Sequence, residues 1–201
     1  MSVDLQKGQK VSLQKSNGKR LTNLMVGLGW DASEYAQKKG FFSRLFGNSD
    51  NFDCDASVFL CQGGRFVDKD DIVYFGNLEH RSHAVKHMGD NLTGEGDGDD
   101  EQIFVDLENI PQRYDKLIFV VNIYHAVDRK QHFGMIKNAY IRILDAENRE
   151  ELCRFNLSED YTDMLSMIAG EVYRNKDEWK FNAIGVGTRD TGLNDLAKRF
   201  K

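Results

Sequence analysis

Six carboxylates (Asp90, Glu95, Asp97, Asp99, Asp100 and Glu101) fall within the twelve residues 90–101, together with three glycines and no positive charge. Like charges at that density repel unless the segment stays solvated or encloses a cation. The donors are hard oxygens, which suit calcium, an ion that takes roughly 6–8 such ligands in flexible geometry. Asn91 adds an amide oxygen, and the glycines let backbone carbonyls turn inward. Magnesium keeps its waters and seldom uses an all-protein cage, and zinc prefers the His and Cys ligands that the run lacks. An EF-hand reading fails. With Asp90 and Glu101 as the first and last ligands, Leu92 and Gly94 would occupy ligand positions and Glu95 the position of the glycine. The flanks, "HAVKHM" and "QIFVDL", read as strands rather than helices. Similar oxygen donors recur at Asp31, which ends "GWD", and at Asp50, Asp53 and Asp55 in "DNFDCDAS". Acidic loops gathered at one end of a β-sandwich can share ions.

Other reactive side chains carry less. His80, His83 and His87 would share a helical face. On the strand expected at 84–88, His83 and His87 share one side and His80 lies in the preceding loop. That favours His87 as a hydrogen-bond donor behind the acidic ligands over a zinc site. Cys54 stands between Asp53 and Asp55, whose charges disfavour a thiolate nucleophile. Cys61 falls on the opposite face of the same strand, and Cys153 reads as core. "DRKQHFG" (128–134) reads as a solvated hairpin turn, or as a small basic site for an anion or an acidic partner. Trp30 and Trp179 read as core or loop anchors, and "GLGWD" and "GVGT" lack the strand–loop–helix setting and lysine of a nucleotide loop.

The elements that position these residues are strands. Short runs rich in Val, Ile, Phe and Tyr lie at 56–61, 71–75, 103–107, 116–126, 139–144 and 179–187, separated by glycine-rich turns. Residues 163–175 fit a short helix or a buried strand pair, and 192–200 a C-terminal helix with Leu193, Leu196, Ala197 and Phe200 on one face. The expected fold is all-β: an antiparallel β-sandwich in one domain over 1–201, with long acidic loops at one end and a short C-terminal helix. With 201 residues, 40% of them hydrophobic, a substantial core is affordable. A net charge of −5 without a basic stripe argues against nucleic acid as a partner. No apolar run approaches the about 20 residues of a transmembrane helix, and the N-terminus has no signal-like segment. Three cysteines without a CxxC pair fit a reducing, cytoplasmic setting.

"VGLGWD", "FDCDASVFL", "HMGDNLTGEGDGDDEQIFVDL", "RKQHFGMIKNAYIRI" and "FNLSEDYTDMLSMIAGEVYRNKDEWKFNAIG", in that order, resemble the TerD family of bacterial tellurium-resistance and general-stress proteins. The likeness runs from "LQKGQKVSL" to about Leu193. It implies a calcium-binding β-sandwich without an established catalytic activity. It also implies a cytoplasmic role in stress resistance and partners among other Ter-type proteins, including a membrane-associated one. By motif position the resemblance places calcium ligands at Asp90, Asn91, Asp97, Asp99, Asp100 and Glu101, and further ones at Asp31, Asp53 and Asp55, with Glu159 and Asp160 as additional candidates. One departure is the insertion at 31–53, whose "KKGFFSRLFG" is basic and aromatic enough to dock a partner or a membrane surface, or to cover a sheet edge.

Three functional classes follow. The first is a calcium-binding, non-enzymatic stress-response scaffold or sensor. The second is a metal-dependent hydrolase using the same carboxylates around Mg²⁺ or Mn²⁺. The third is an interaction module in which the acidic loop binds a basic partner without metal.

Overall fold

The structure is a computed structural model that describes residues 2–32, 53–90 and 98–201. Among the described residues twelve strands form two six-stranded sheets. They are β1 (Val3–Leu5), β2 (Lys10–Ser12), β3 (Asn23–Ala32), β4 (Cys54–Cys61), β5 (Ile72–Val73), β6 (Val85–Asp90), β7 (Glu101–Asp106), β8 (Lys116–Ile123), β9 (Ile136–Asp145), β10 (Glu151–Asn156), β11 (Ser166–Asn175) and β12 (Glu178–Thr188). One sheet runs β1-β10-β9-β3-β7-β6 and the other β2-β12-β11-β8-β4-β5. All pairings are antiparallel except β1 with β10, which is parallel. The expected all-β sandwich is therefore the fold.

Alternation builds the space between the sheets. Val26 and Leu28 of β3, Ile103 and Val105 of β7 and Ile141 and Ile143 of β9 meet Ala56, Val58 and Leu60 of β4 and Phe119 and Val121 of β8. Each fully buried side chain of this size contributes roughly 1.5–3 kcal/mol relative to exposure. The outer face of the second sheet is also covered. Phe59, Ile72, Ile118, Val120 and Ile168 pack under the helix Leu193–Lys198, whose Leu196 and Ala197 are buried and whose neighbours Leu193 and Phe200 are partly so. The anticipated helical face is the one used. Cys54 and Cys61 accordingly fall in different clusters, and all three cysteines are free and buried.

Several local readings differ. Residues 163–175 resolve in favour of a strand, β11, because it lies between β8 and β12 in the middle of its sheet. "DIVYF" contributes only Ile72–Val73, after a short 3-10 turn at Lys69–Asp71. "DRKQHFG" is not a hairpin turn, since β8 and β9 belong to different sheets. It crosses between them through the helical turn Ala126–Arg129 and a 3-10 turn at Phe133–Met135, with Gln131 and Phe133 buried. His83 does not share a strand face with His87. The strand starts at Val85, and His83 sits exposed in the preceding turn at φ 60°. His80, outside the strand as expected, is fully buried against Asp71 and Tyr114.

Candidate metal centre

Both sheets contribute to one end of the sandwich, where Glu101 opens β7. Alternation sends its side chain inward, and its carboxylate bridges the sheets by accepting the Ala56 N–H of β4. His87, across from Ile103 on β6, is also buried. Its Nδ1 accepts the Gly89 N–H at 3.1 Å, so in the neutral ring the proton belongs to Nε2. That Nε2 lies 3.6 Å from Glu101 Oε2 and makes no hydrogen bond among the described residues. His87 thus stands beside the acidic strip as expected, but the hydrogen bond expected of it is not made among the described residues. Asp53, Cys54 and Asp55 of β4's leading edge share with His87, Gly89 and Glu101 a hollow of about 450 Å³, rimmed by Phe75, Leu78 and Tyr124.

The next two carboxylates face elsewhere. Asp100 Oδ2 accepts the Trp30 N–H at 2.7 Å. Burial pushes its carboxyl above the usual aspartate range, and the charges of Asp31, Glu101 and Asp99 push the same way, against the Trp30 hydrogen bond. Asp31 Oδ2 accepts from Asn138 Nδ2 at 2.9 Å. Asp31 and Asp100 line a second, polar hollow of about 930 Å³ on the outer face of the first sheet, with Asp99, Tyr140, Arg154 and Glu159. Among the described residues neither Asp31 nor Asp100 meets a lysine or arginine within ion-pair distance. The donors are hard oxygens of the kind a hard cation takes, one of them with its proton affinity raised by burial and then by its acidic neighbours.

Asp99 is different. It is 2% exposed and receives Arg142 Nε at 2.7 Å, Gln102 Nε2 at 2.9 Å and the Tyr140 hydroxyl at 3.1 Å. The protein neutralises this carboxylate itself. β3 makes room for it: a Cβ on Gly27 would stand 2.2 Å from Asp99 Oδ2, and one on Gly29 2.4 Å from the Tyr140 ring. "GLG" is therefore a strand with two side chains lying flat upon it, rather than a turn. Burial, then Asp99 beside it, pushes the Tyr140 hydroxyl up to about 12.

Of the other candidates, Asp53 lies 3.6 Å from Arg129. Glu159 faces the second hollow but pairs with Lys7 at 2.6 Å, and Asp160 serves the Thr162 turn. Asp90 closes β6 opposite Glu101 in the ladder. Asn91 and Asp97, and the insertion from 33 to 52, lie outside the described residues. Among the described residues no three His, Cys, Asp or Glu side chains are gathered tightly enough to hold a metal ion by themselves. Burial, with Asp55, Glu101, Asp53 and Asp100 adding to it, pushes the Cys54 thiol well above the ordinary range, which disfavours the thiolate a nucleophile needs. Arg142, Tyr140 and Gln102 were missed as site residues. The alternation of "AYIRIL" puts Tyr140 and Arg142 on one outer face, but nothing in it names the carboxylate they meet.

A family model described as TerD domain matches residues 1–200. The chain is 51% identical to the stress response protein SCP2 of Bacillus subtilis (strain 168), covering 100% of both chains. It is 42% identical to the tellurium resistance protein TerD of Serratia marcescens, covering 93% of this chain and 91% of that one. The fold is also that of a solved protein of unknown function, with a TM-score of 0.66 at 18% identity, covering 89% of this chain and 96% of the other.

Proposed function

The chain belongs to the TerD family, and we propose that within it this protein is a calcium-binding, non-enzymatic stress-response module acting as a scaffold or sensor. One observation carries the reading: Asp31 and Asp100 line one hollow and neither meets a lysine or arginine within ion-pair distance among the described residues, while the deeper Asp99 is neutralised internally by Arg142. An internally neutralised carboxylate serves as an anchor, and an un-neutralised group serves as ligands. Asp31, Asp100, Glu101 and the carboxylates of the 90–97 segment would hold the ion, with Asp53 and Asp55 on the β4 side. Asp99, pinned by three donors, positions Asp100 and Glu101 from behind.

Calcium would supply charge neutralisation and nothing redox. The chain's own residues do the rest. The Trp30 N–H fixes Asp100, the Ala56 N–H fixes Glu101 across the sheets, and Asn138 fixes Asp31. Binding then ties the ends of β3, β4 and β7 together and stabilises the folded state by mass action. The surface so ordered is the one offered to partners, for which other Ter-type proteins, including a membrane-associated one, are the candidates in a cytoplasmic setting. No helix among the described residues is long and apolar enough to cross a membrane, so any membrane contact of those residues through helices would be indirect or peripheral.

The test is calorimetric titration of chelator-stripped protein with calcium, with magnesium as competitor. Saturable heat that magnesium does not displace supports the reading. Preference for magnesium or manganese favours the hydrolase class, and silence with strong salt dependence favours a metal-free acidic interaction module.

A further inference from the structure

The opposite end of the sandwich has the opposite electrostatics. β11 and β12 turn there, with Arg174 paired to Trp179, and Tyr173 pairs with Lys116 at the far end of β8 from the Ile123–Cys54 pair. Arg20, Arg174 and Lys176 line a small hollow of about 200 Å³ with Gln112, Trp179, Asp177 and Glu178. That volume is below the range for drug-sized ligands and suits an inorganic ion.

None of the three cations makes an ion pair among the described residues. Arg174 gives Nε to the Tyr114 carbonyl at 3.0 Å and one terminal nitrogen to the Ile110 carbonyl at 2.8 Å, which fixes the guanidinium and leaves its remaining N–H groups. Its plane lies over the Trp179 ring, 4.3 Å from the ring centroid. Glu178 is already engaged by Lys180 at 2.9 Å and by Asn175 at 3.4 Å. Asp177 is exposed in the turn. Burial, then the charge of Arg20, pulls Arg174 below the ordinary guanidinium value, against the opposing charge of Asp115.

An independent observation comes from Trp179. Its side chain is 2% exposed, yet its indole Nε1 is buried without a hydrogen-bond partner among the described residues. A buried donor left unsatisfied calls for a missing acceptor. Three cations and an orphaned N–H beside one small hollow call for the same one, a compact anion with several oxygen acceptors.

We propose that the hollow formed by Arg20, Arg174, Lys176 and Trp179, at the end of the sandwich remote from the acidic strip, binds a small oxyanion of the phosphate type. Arg174 is the rigid donor, Arg20 and Lys176 close over the ion from the exposed side, and the Gln112 amide and the Trp179 N–H donate to the remaining lone pairs.

The chain has only two tryptophans, Trp30 and Trp179, one near each end, so the indole N–H region of a nitrogen–proton correlation spectrum reports both ends at once. Inorganic phosphate is titrated into the full chain, with sodium chloride holding the ionic strength constant. The expected result is a saturable shift of the Trp179 indole signal with Trp30 unmoved. Arg20→Gln and Lys176→Gln, both exposed positions that leave the core untouched, should each weaken binding about tenfold, the value of one charge-assisted hydrogen bond. Sulfate should compete with phosphate. Phenyl phosphate as a second probe separates the sources: exclusion means a free ion, and binding means that the terminal phosphoryl group of a larger molecule is also accepted. A shift that grows linearly without saturation, equal shifts at both indoles, or variants that bind as wild type would overturn the proposal.

Discussion

Replacing Arg142 with Met removes the cation that neutralises Asp99 while keeping most of the apolar stem. The Asp99 side chain is fully buried and the Arg142 side chain 18% exposed, so water cannot readily take over. Breaking a buried pair by deleting one partner costs about 3–5 kcal/mol, because the remaining charge is left uncompensated. Tyr140 and Gln102 still donate to Asp99, and Arg142 has some solvent access, so the lower end, about 3 kcal/mol, is expected here. For a chain of this size that lowers Tm by roughly 6–12 °C. The companion variant is Asp99→Asn, which leaves Arg142 its second partner Glu151 at 3.2 Å and should cost less. In the double variant no buried charge is stranded, so the loss should fall short of the sum of the singles by on the order of 2 kcal/mol. The assay is thermal and urea unfolding by circular dichroism in excess chelator. Additive losses, or an Arg142→Met protein that melts within about 2 °C of wild type, would show that Asp99 is not held by this pair. Asp99→Asn paired with Asp100→Asn separates anchor from ligand in the proposed calcium site: Asp100→Asn should weaken calcium binding more than Asp99→Asn does, whose fold defect appears without calcium.

Gly27→Ala drives a Cβ into a carboxylate that Arg142, Tyr140 and Gln102 prevent from swinging away, and should cost about 1–3 kcal/mol in urea unfolding. Gly192→Ala, in extended backbone with nothing within 4 Å, is the clash-free control and should cost only the difference between a glycine and an alanine N-cap, less than about 1 kcal/mol. For Asp100 the folded-state carboxyl lies above its unfolded value, so between the two the native state keeps a proton that the unfolded chain has lost. In calcium-free protein this contribution therefore grows as pH falls through the folded value, is complete below the unfolded one, and is a cost at neutral pH. Asp100→Asn, whose amide oxygen can still accept the Trp30 N–H, should raise the calcium-free Tm at pH 7 and flatten that part of the pH profile; a lower Tm at pH 7 would contradict it. Burial pushes the Cys61 and Cys153 thiols up to about 12, and Cys54 is raised as well, so a disulfide reagent at pH 8 should label none of the three before unfolding. One rapidly labelled thiol in native protein would show that its cover opens.

What could be read from the sequence divides by the range of the interaction involved. Strands with internal alternation, such as "AYIRIL" and "WKFNAIG", declare themselves through their own residues, and so did the helical face of Leu193, Leu196, Ala197 and Phe200. β3 and β11 did not, because their glycines belong to other residues: Gly27 to Asp99, Gly29 to Tyr140, and Gly170 to the Phe181 ring, 2.6 Å from where its Cβ would be. A local reading takes such glycines as punctuation. The candidate site shows the same division. The acidic residues were legible as a group, since charge density is a property of the string. Which carboxylate the protein neutralises for itself depends on Arg142, forty-three residues from Asp99, and on the register that sets β9 beside β3.

That register also shows why the carboxylates have unlike roles although they are consecutive. Alternation begins with β7 at Glu101, which enters the space between the sheets and meets the Ala56 N–H, with His87 3.6 Å away; Asp99 and Asp100 precede the strand, with a bend at Asp100, and so do not follow that alternation. Asp100 points to the Trp30 backbone, and Asp99 turns to the outer face onto Gly27. A cation drawn to Asp100 and Glu101 therefore acts on β3 through Trp30 and on β4 through Ala56, two strands in different sheets. Neutralising that corner by the proposed ion would change the coupling of the sheets more than it would change either sheet. Calcium should accordingly protect the amides of Trp30 and Ala56 from hydrogen exchange together. Protection of only one would mean that the proposed ion belongs to one hollow and does not couple the two sheets.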